Sequence, residues 1–254
     1  MQSLSDRVAL VTGGYGGIGG AVCRGLAKAG ARVAVAGHTK DKAEACAAAL
    51  RADGYQAFAA TFDAVSVPET AAMVDRVAAH FGRIDILINC VGLNREETAA
   101  EVTEEQFGHV LDVNLRSALF QAQAVARHQI ARGTGGKHVH IGSVRTLLGL
   151  RGRGYAAYCA SKGGLAILCK QLAAEWAPHR INVNVVAPTF VRTDQVAHML
   201  SDATFYNALI ARIPLGRIAE PDDVWHAVRF FSSSASDFIT GQTLYVDGGI
   251  TATQ

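Results

Sequence analysis

A chain of 254 residues, half of them hydrophobic and 18% charged, suits a single α/β core and excludes a disordered or fibrous chain. A net charge of +2 with no basic run argues against a nucleic-acid partner, and no apolar stretch reaches the ~18 residues that a membrane span needs. The beginning, MQSLSDRVALVTGG, lacks the pattern of a secretory leader, so a cytoplasmic location is expected.

In chain order, short β-branched runs alternate with Ala/Leu-rich stretches at helical period, the signature of βαβ units building a parallel sheet. Strands are predicted at 7–12, 32–36, 56–61, 84–89, 138–142, 181–187 and 244–246. Helices are predicted at 17–28, 40–52, 68–80, 103–113, 115–132, 156–176 and 221–231. No linker, composition break or internal repeat divides residues 1–254, which predicts one domain with a doubly wound parallel sheet of about seven strands. The long connection 189–215 follows the sixth strand, where ligands lie in such sheets, and is expected to be a substrate lid; an ordinary helical excursion is the plainer alternative. Cys23, Cys46, Cys90, Cys159 and Cys169 are scattered without metal-ligand spacing and are expected to be reduced core thiols, with no metal site.

The first strand runs into Gly13-Gly-Tyr15-Gly-Gly17-Ile18-Gly19 and then a helix. Glycines let the backbone approach a pyrophosphate, and the N–H groups at a helix start favour its charge. The end of the second strand decides the dinucleotide. An acid there holds the ribose hydroxyls of NAD and repels the extra phosphate of NADP. Ala36 and Gly37 are not acidic, while His38, Thr39, Lys40 and Lys42 offer donors and positive charge. NADP(H) is therefore favoured, with NAD(H) as the alternative. Against this choice, Tyr15-Gly16 in the glycine loop supplies no positive charge for an extra phosphate.

Tyr158 and Lys162 fall at i and i+4, on one face of a helix, so that a fixed positive charge favours the phenolate and lowers the phenol's pKa towards the working range. Tyr158 is then the acid/base that exchanges a proton with an alkoxide. Ser143 follows the fifth strand at the carboxyl edge of the sheet, where its hydroxyl can stabilise charge on a carbonyl oxygen. By residue type alone Asn114 is equally a capping or helix-kink residue.

Thr12-Gly13-x3-Gly17-x-Gly19 followed by Asn114, Ser143 and Tyr158-x3-Lys162 in that order resembles the short-chain dehydrogenase/reductase family, over about residues 6–250. The resemblance implies a Rossmann-type fold and an NAD(P)-dependent oxidoreductase with Asn114, Ser143, Tyr158 and Lys162 as catalytic residues, the asparagine supporting a water and proton path to the lysine. It also implies dinucleotide contacts from Gly13, Tyr15, Gly17, Ile18, Gly19, His38, Thr39, Lys40, Asp63, Ala64, Asn89, Val91, Gly92, Tyr158, Lys162, Pro188, Val191 and Thr193. Asn89-Cys-Val-Gly92 departs from the family's NNAG at two positions, and Thr189 replaces a usual glycine. Homotetramers are implied, through the helix bearing Tyr158 and the last strand.

Arginines at 95, 145, 151, 153 and 192 fall around the expected pocket and suggest an acidic substrate, bound by Arg95 and Arg145 with Ser143 and Tyr158; solvated arginines are the plainer alternative. Gly92-x-x-Arg95, Ala174-Glu-Trp-Ala-Pro178, Ala211-Arg-Ile-Pro214 and the run 241–249 resemble the gluconate 5-dehydrogenase branch, which implies a sugar acid. A 3-oxoacyl-thioester reductase is the runner-up, and a non-catalytic nucleotide-binding scaffold is the alternative from another class. The stretch between Ser143 and Tyr158 is two residues longer than that resemblance leads one to expect.

Overall fold

Strand β1 (Val8–Thr12) has every residue buried, as a β-branched run does when helices cover both faces of a sheet. It is the third of seven parallel strands in the order β3-β2-β1-β4-β5-β6-β7, with β2 at Arg32–Gly37, β3 at Ala57–Thr61 and the central β4 at Ile86–Asn89. The other half holds β5 (Gly136–Ile141), β6 (Ile181–Pro188) and β7 (Thr243–Val246). The strand order reverses direction between β1 and β4, and the crevice at that switch point is where such sheets receive ligands. The computed structural model describes residues 3–253, with the side chain of Gln195 excepted.

Alternate residues of each strand feed two cores. Ala9, Val11, Val33 and Ile88 pack with α1 (Gly17–Lys28), α2 (Lys40–Ala52) and, at the end of the chain, Trp225 and Val228. Leu10, Leu87 and Val185 pack on the opposite face with α3 (Val67–Phe81), α5 (Ser117–Arg132) and α6 (Ala156–Trp176). Local signals start and stop these helices. Ser66 caps α3 by accepting from the Glu69 N–H at 3.3 Å, and Gly82 closes it at φ 77°. Thr103 and Gln106 form a reciprocal capping box at the start of α4 (Glu104–Leu111).

The two helices predicted at 103–113 and 115–132 are one continuous rod. Between α4 and α5, Asp112–Arg116 takes a π-helical turn, so the chain bulges rather than breaks at Asn114. The connection after β6 also carries structure of its own, α7 (Ala197–Leu200) and α8 (Ala203–Ile210), before α9 (Pro221–Ser232). A third apolar cluster, with Leu209, Ile213, Ile218 and Ile250, packs Leu148, Phe190 and Phe205 against it over the carboxyl edge of the sheet. No helix among the described residues is long and apolar enough to cross a membrane.

Candidate active site

The glycine turn after β1 is closed so tightly that side chains do not fit. A Cβ on Gly19 would lie 2.1 Å from the Gly13 carbonyl oxygen, and one on Gly13, at φ 68°, would lie 2.9 Å from the Cys90 backbone. A Cβ on Gly17 would meet Thr193 Cγ2 at 2.4 Å, so the start of α1 is the floor of a cleft roofed by the post-β6 segment. This backbone cradle at a helix start suits a pyrophosphate.

At the end of β2 the ring of Tyr15 covers Gly37, where a Cβ would approach it to 2.3 Å. The Tyr15 hydroxyl accepts from the Thr39 N–H at 3.1 Å and pairs with His38 Nδ1 at 2.9 Å. His38 and Lys40 are exposed beside it. After β3, Asp63 accepts from the Val65 N–H at 3.0 Å, with Ala64 half-buried between them. Asn89 is 3% exposed and holds the turn after β4: its Oδ1 accepts from Thr12 Oγ1 at 3.3 Å and from the Val91 N–H at 2.9 Å.

A cavity of about 210 Å³ opens beyond the carboxyl ends of β4, β5 and β6. Its walls include Ser143, Arg145, Tyr155, Tyr158 and Lys162, with Ile18, Val91, Gly92, Pro188, Val191 and Thr193 of the expected dinucleotide contacts. Pattern reading missed Leu93, Asn94, Phe190 and Val196 on these walls, because isolated loop residues, apolar or amide, carry no spacing or chemical signature in a sequence. Two polar atoms are buried without a partner at residues of the wall, Asn94 Oδ1 and Thr189 Oγ1. Such groups call for a ligand's donor or acceptor, and the site therefore fits the amide-bearing, phosphate-bearing dinucleotide for which the glycine cradle has room.

Lys162 is 3% exposed and its Nζ donates to the Ile141 carbonyl at 2.9 Å, the last residue of β5. Asn114, 1% exposed in the π turn, donates from Nδ2 to the Leu93 carbonyl at 2.8 Å and to Ser161 Oγ at 2.9 Å, and its Oδ1 accepts from the Leu93 N–H at 2.8 Å. The lysine and the asparagine converge over Gly92, where a Cβ would stand 3.3 Å from Lys162 Nζ and 3.5 Å from Asn114 Oδ1. Ser143 Oγ accepts from the Arg145 N–H at 3.2 Å, which leaves the hydroxyl proton to point elsewhere.

The protonation balance differs from the simple expectation. Burial raises the Tyr158 phenol to about 12 against the opposing effect of Ser143, and burial also lowers the Lys162 ammonium to about 8. The Lys162 nitrogen sits 5.8 Å from the Tyr158 ring centroid, and desolvation is the largest influence on each of the two groups. The phenol is thus held in its protonated form.

The arginines separate into different environments. Arg153 pairs with Glu96 at 2.5 Å and lies over the rings of Tyr155 and Phe205; Arg192 pairs with Glu220 at 2.9 Å. Arg95 and Arg151 are exposed and do not line the cavity. Arg145 does line it. It is 6% exposed, its guanidinium donates to the carbonyls of Leu148 at 3.3 Å and Gly149 at 2.5 Å, and no carboxylate among the described residues pairs with it. Burial lowers its pKa.

A family model described as enoyl-(acyl carrier protein) reductase matches residues 13–251. The chain is 38% identical to 2-dehydro-3-deoxy-D-gluconate 5-dehydrogenase of Escherichia coli (strain K12), over 97% of this chain and 96% of that protein. The chain belongs to the short-chain dehydrogenase/reductase family. Among its relatives in that family is gluconate 5-dehydrogenase of Gluconobacter oxydans (strain 621H), 38% identical over 98% of this chain and 96% of the relative. The crystal structure of a gluconate 5-dehydrogenase from Burkholderia cenocepacia in complex with NADP and tartrate superposes with a TM-score of 0.95 at 38% identity, covering 99% of this chain and 98% of that one. As a short-chain dehydrogenase/reductase, the protein is an oxidoreductase acting on CH–OH groups with a nicotinamide dinucleotide.

Proposed function

We propose that this short-chain dehydrogenase/reductase interconverts the secondary alcohol and ketone of a sugar acid, with NADP(H) as its hydride carrier. The observation that carries the acidic substrate is Arg145, a buried cation on the cavity wall with no carboxylate partner among the described residues. Two backbone carbonyls occupy part of its donor fork and leave donors for a carboxylate. The relatives named for gluconate and deoxygluconate support this reading. Arg95 lies outside the cavity wall and is assigned at most to its outer rim.

The bound nicotinamide supplies or takes the hydride. Gly13, Gly17, Ile18 and Gly19 hold the pyrophosphate side, Val91, Gly92, Pro188, Val191 and Thr193 the nicotinamide side, and Asp63, Ala64 and the turn braced by Asn89 the adenosine side. Tyr15, His38, Thr39 and Lys40 surround the 2′-phosphate position. The absence of an acid at Ala36 and Gly37, and the NADP in the Burkholderia cenocepacia relative, support NADP(H) over NAD(H).

Tyr158, which its raised pKa keeps protonated, donates its proton to the far more basic alkoxide in reduction, and Ser143 donates a hydrogen bond to the same oxygen. Lys162, anchored on Ile141, orients the phenol's surroundings and passes a proton on, while Asn114 holds the Leu93 backbone and offers Oδ1 to a water beside Lys162. The segment 189–215 acts as a lid: Phe190 and Val196 already line the cavity, and its apolar cluster reaches Leu148 of the lengthened loop.

We assign a homotetramer in the cytoplasm. In support, Ile167 on α6 is 64% exposed and Leu244 on β7 is 39% exposed, at the two elements expected to associate. The second reading is reduction of a 3-oxoacyl thioester, which shares a carrier-bound acyl substrate, though not the reacting bond, with the enoyl-(acyl carrier protein) reductase of the family model's description. Steady-state kinetics on keto-sugar acids and acetoacetyl thioesters, with each dinucleotide, tests all of this. In Arg145→Ala, KM for the sugar acid should rise by about tenfold or more while thioester turnover is little changed. An unchanged sugar-acid KM overturns the acidic-substrate reading, and a preference for NAD overturns the dinucleotide choice.

A further inference from the structure

Two cysteines that look scattered in the chain meet in space. Cys23 on α1 donates to the Gly14 carbonyl at 3.3 Å, and Cys46 on α2 donates to the same oxygen at 3.7 Å. Gly14 belongs to the glycine turn, its own N–H is bound to the Ala36 carbonyl at 3.2 Å, and a Cβ there would already touch Cys23 Sγ at 3.2 Å. The hydrogen bonds that reach the Gly14 carbonyl come from these two thiols.

The pair is asymmetric. Cys23 is wholly buried and Cys46 is partly exposed. Hydrogen bonding with Cys23, helped by the Arg24 charge, pulls the Cys46 thiol down to about 7 against burial, whereas burial pushes Cys23 well up. An accessible, acidic thiol beside a buried neutral one is the arrangement of an attacking and a resolving cysteine.

We propose that Cys23 and Cys46 are an oxidation site, a dithiol that a hydroperoxide converts to a disulfide, and that this bridge loosens the glycine turn. The Cys46 thiolate attacks the terminal oxygen of the peroxide and breaks its O–O bond, giving a sulfenic acid and releasing hydroxide from hydrogen peroxide or alkoxide from an alkyl hydroperoxide. The Cys23 thiol then attacks that sulfur, forming the S–S bond and releasing water, so that the two thiols lose two electrons to the peroxide. Both S–H donors vanish in the product. The Gly14 carbonyl is left buried without them, and the turn must shift to find a new partner. The effect on function rests on the dinucleotide reading given above; the bridge itself does not.

The full-length protein is treated with hydrogen peroxide, quenched, alkylated and analysed by intact and peptide mass, with NADPH affinity followed by fluorescence. A peptide joining Cys23 to Cys46, a loss of two hydrogens in mass, and NADPH binding weakened roughly tenfold and restored by dithiothreitol are expected. Cys46→Ser should keep its affinity under the same peroxide dose, and Cys23→Ser should stop at a trappable sulfenic acid on Cys46. Recovery of Cys23 and Cys46 as separate alkylated residues, or over-oxidation of Cys46 with Cys23 still free, overturns the site. A bridge with unchanged affinity overturns the coupling to the turn. If the reduced protein fails to bind NADPH, the dinucleotide reading falls instead, and the peptide mass still decides the bridge.

Discussion

The interior of the active site and its rim are held in different ways. Asn114 and Lys162 are buried and bound to main-chain atoms, Leu93 and Ile141, that belong to strand ends and their turns. On the rim, Arg153 and Arg192 are held mainly by exposed carboxylates on other loops. Main-chain anchors inside a core are shielded from salt, whereas exposed ion pairs are screened and each contributes ~0–1 kcal/mol. Chemistry placed on the first kind of support is rigid; specificity placed on the second can change with few substitutions.

The largest expected effect tests the interior. Tyr158→Phe removes the hydroxyl proposed as proton donor and should lower kcat by roughly 10²–10⁴-fold with the melting temperature little changed. Substantial turnover in that variant would move the acid/base elsewhere. Next, Asn114→Ala strips both Leu93 backbone groups of their partner in a site that is 1% exposed, and should cost on the order of 2–3 kcal/mol in chemical denaturation together with a loss of rate. A variant as stable as wild type would show that the π turn does not depend on its asparagine.

A subtler test lies beneath Lys162. His140 is wholly buried on β5 with neither ring nitrogen partnered, and burial, with the nearby Lys162 charge, lowers its pKa to about 4. That lies below its ordinary 6.5, so between these values the unfolded chain takes up a proton that the folded chain refuses. Stability should therefore fall as pH drops from 6.5 towards 4, and His140→Leu should flatten that slope by up to about 1.4 kcal/mol per pH unit. Equal slopes in thermal melts of the two proteins would refute it. The smallest effect belongs to the rim: Glu96→Gln should cost no more than about 0.5 kcal/mol, because both partners are about one-third exposed. A loss several times larger would erase the contrast between rim and interior.

Most elements were legible because each carries a local cause. The limits expected for 17–28, 40–52 and 156–176 agree with α1, α2 and α6, where the helical period is uninterrupted. The expected break at residue 114 is instead a π turn, since one extra residue in a helix leaves no mark on composition. Position in sequence also could not separate the arginines. Arg145, Arg151 and Arg153 stand within one loop, yet only Arg145 lines the cavity, because the fold of 148–149 wraps its guanidinium with carbonyls.

Residue order and period alone determined the parallel sheet, the glycine turn and the family of Asn114, Ser143, Tyr158 and Lys162, since these depend on backbone geometry that specific residues at fixed spacing impose. Tertiary structure alone decided the proton affinities of Tyr158 and Lys162, the isolation of the Arg145 charge, and the meeting of Cys23 with Cys46. Those properties arise from what burial removes and what other segments bring near, and neither is encoded in the spacing of neighbours along the chain.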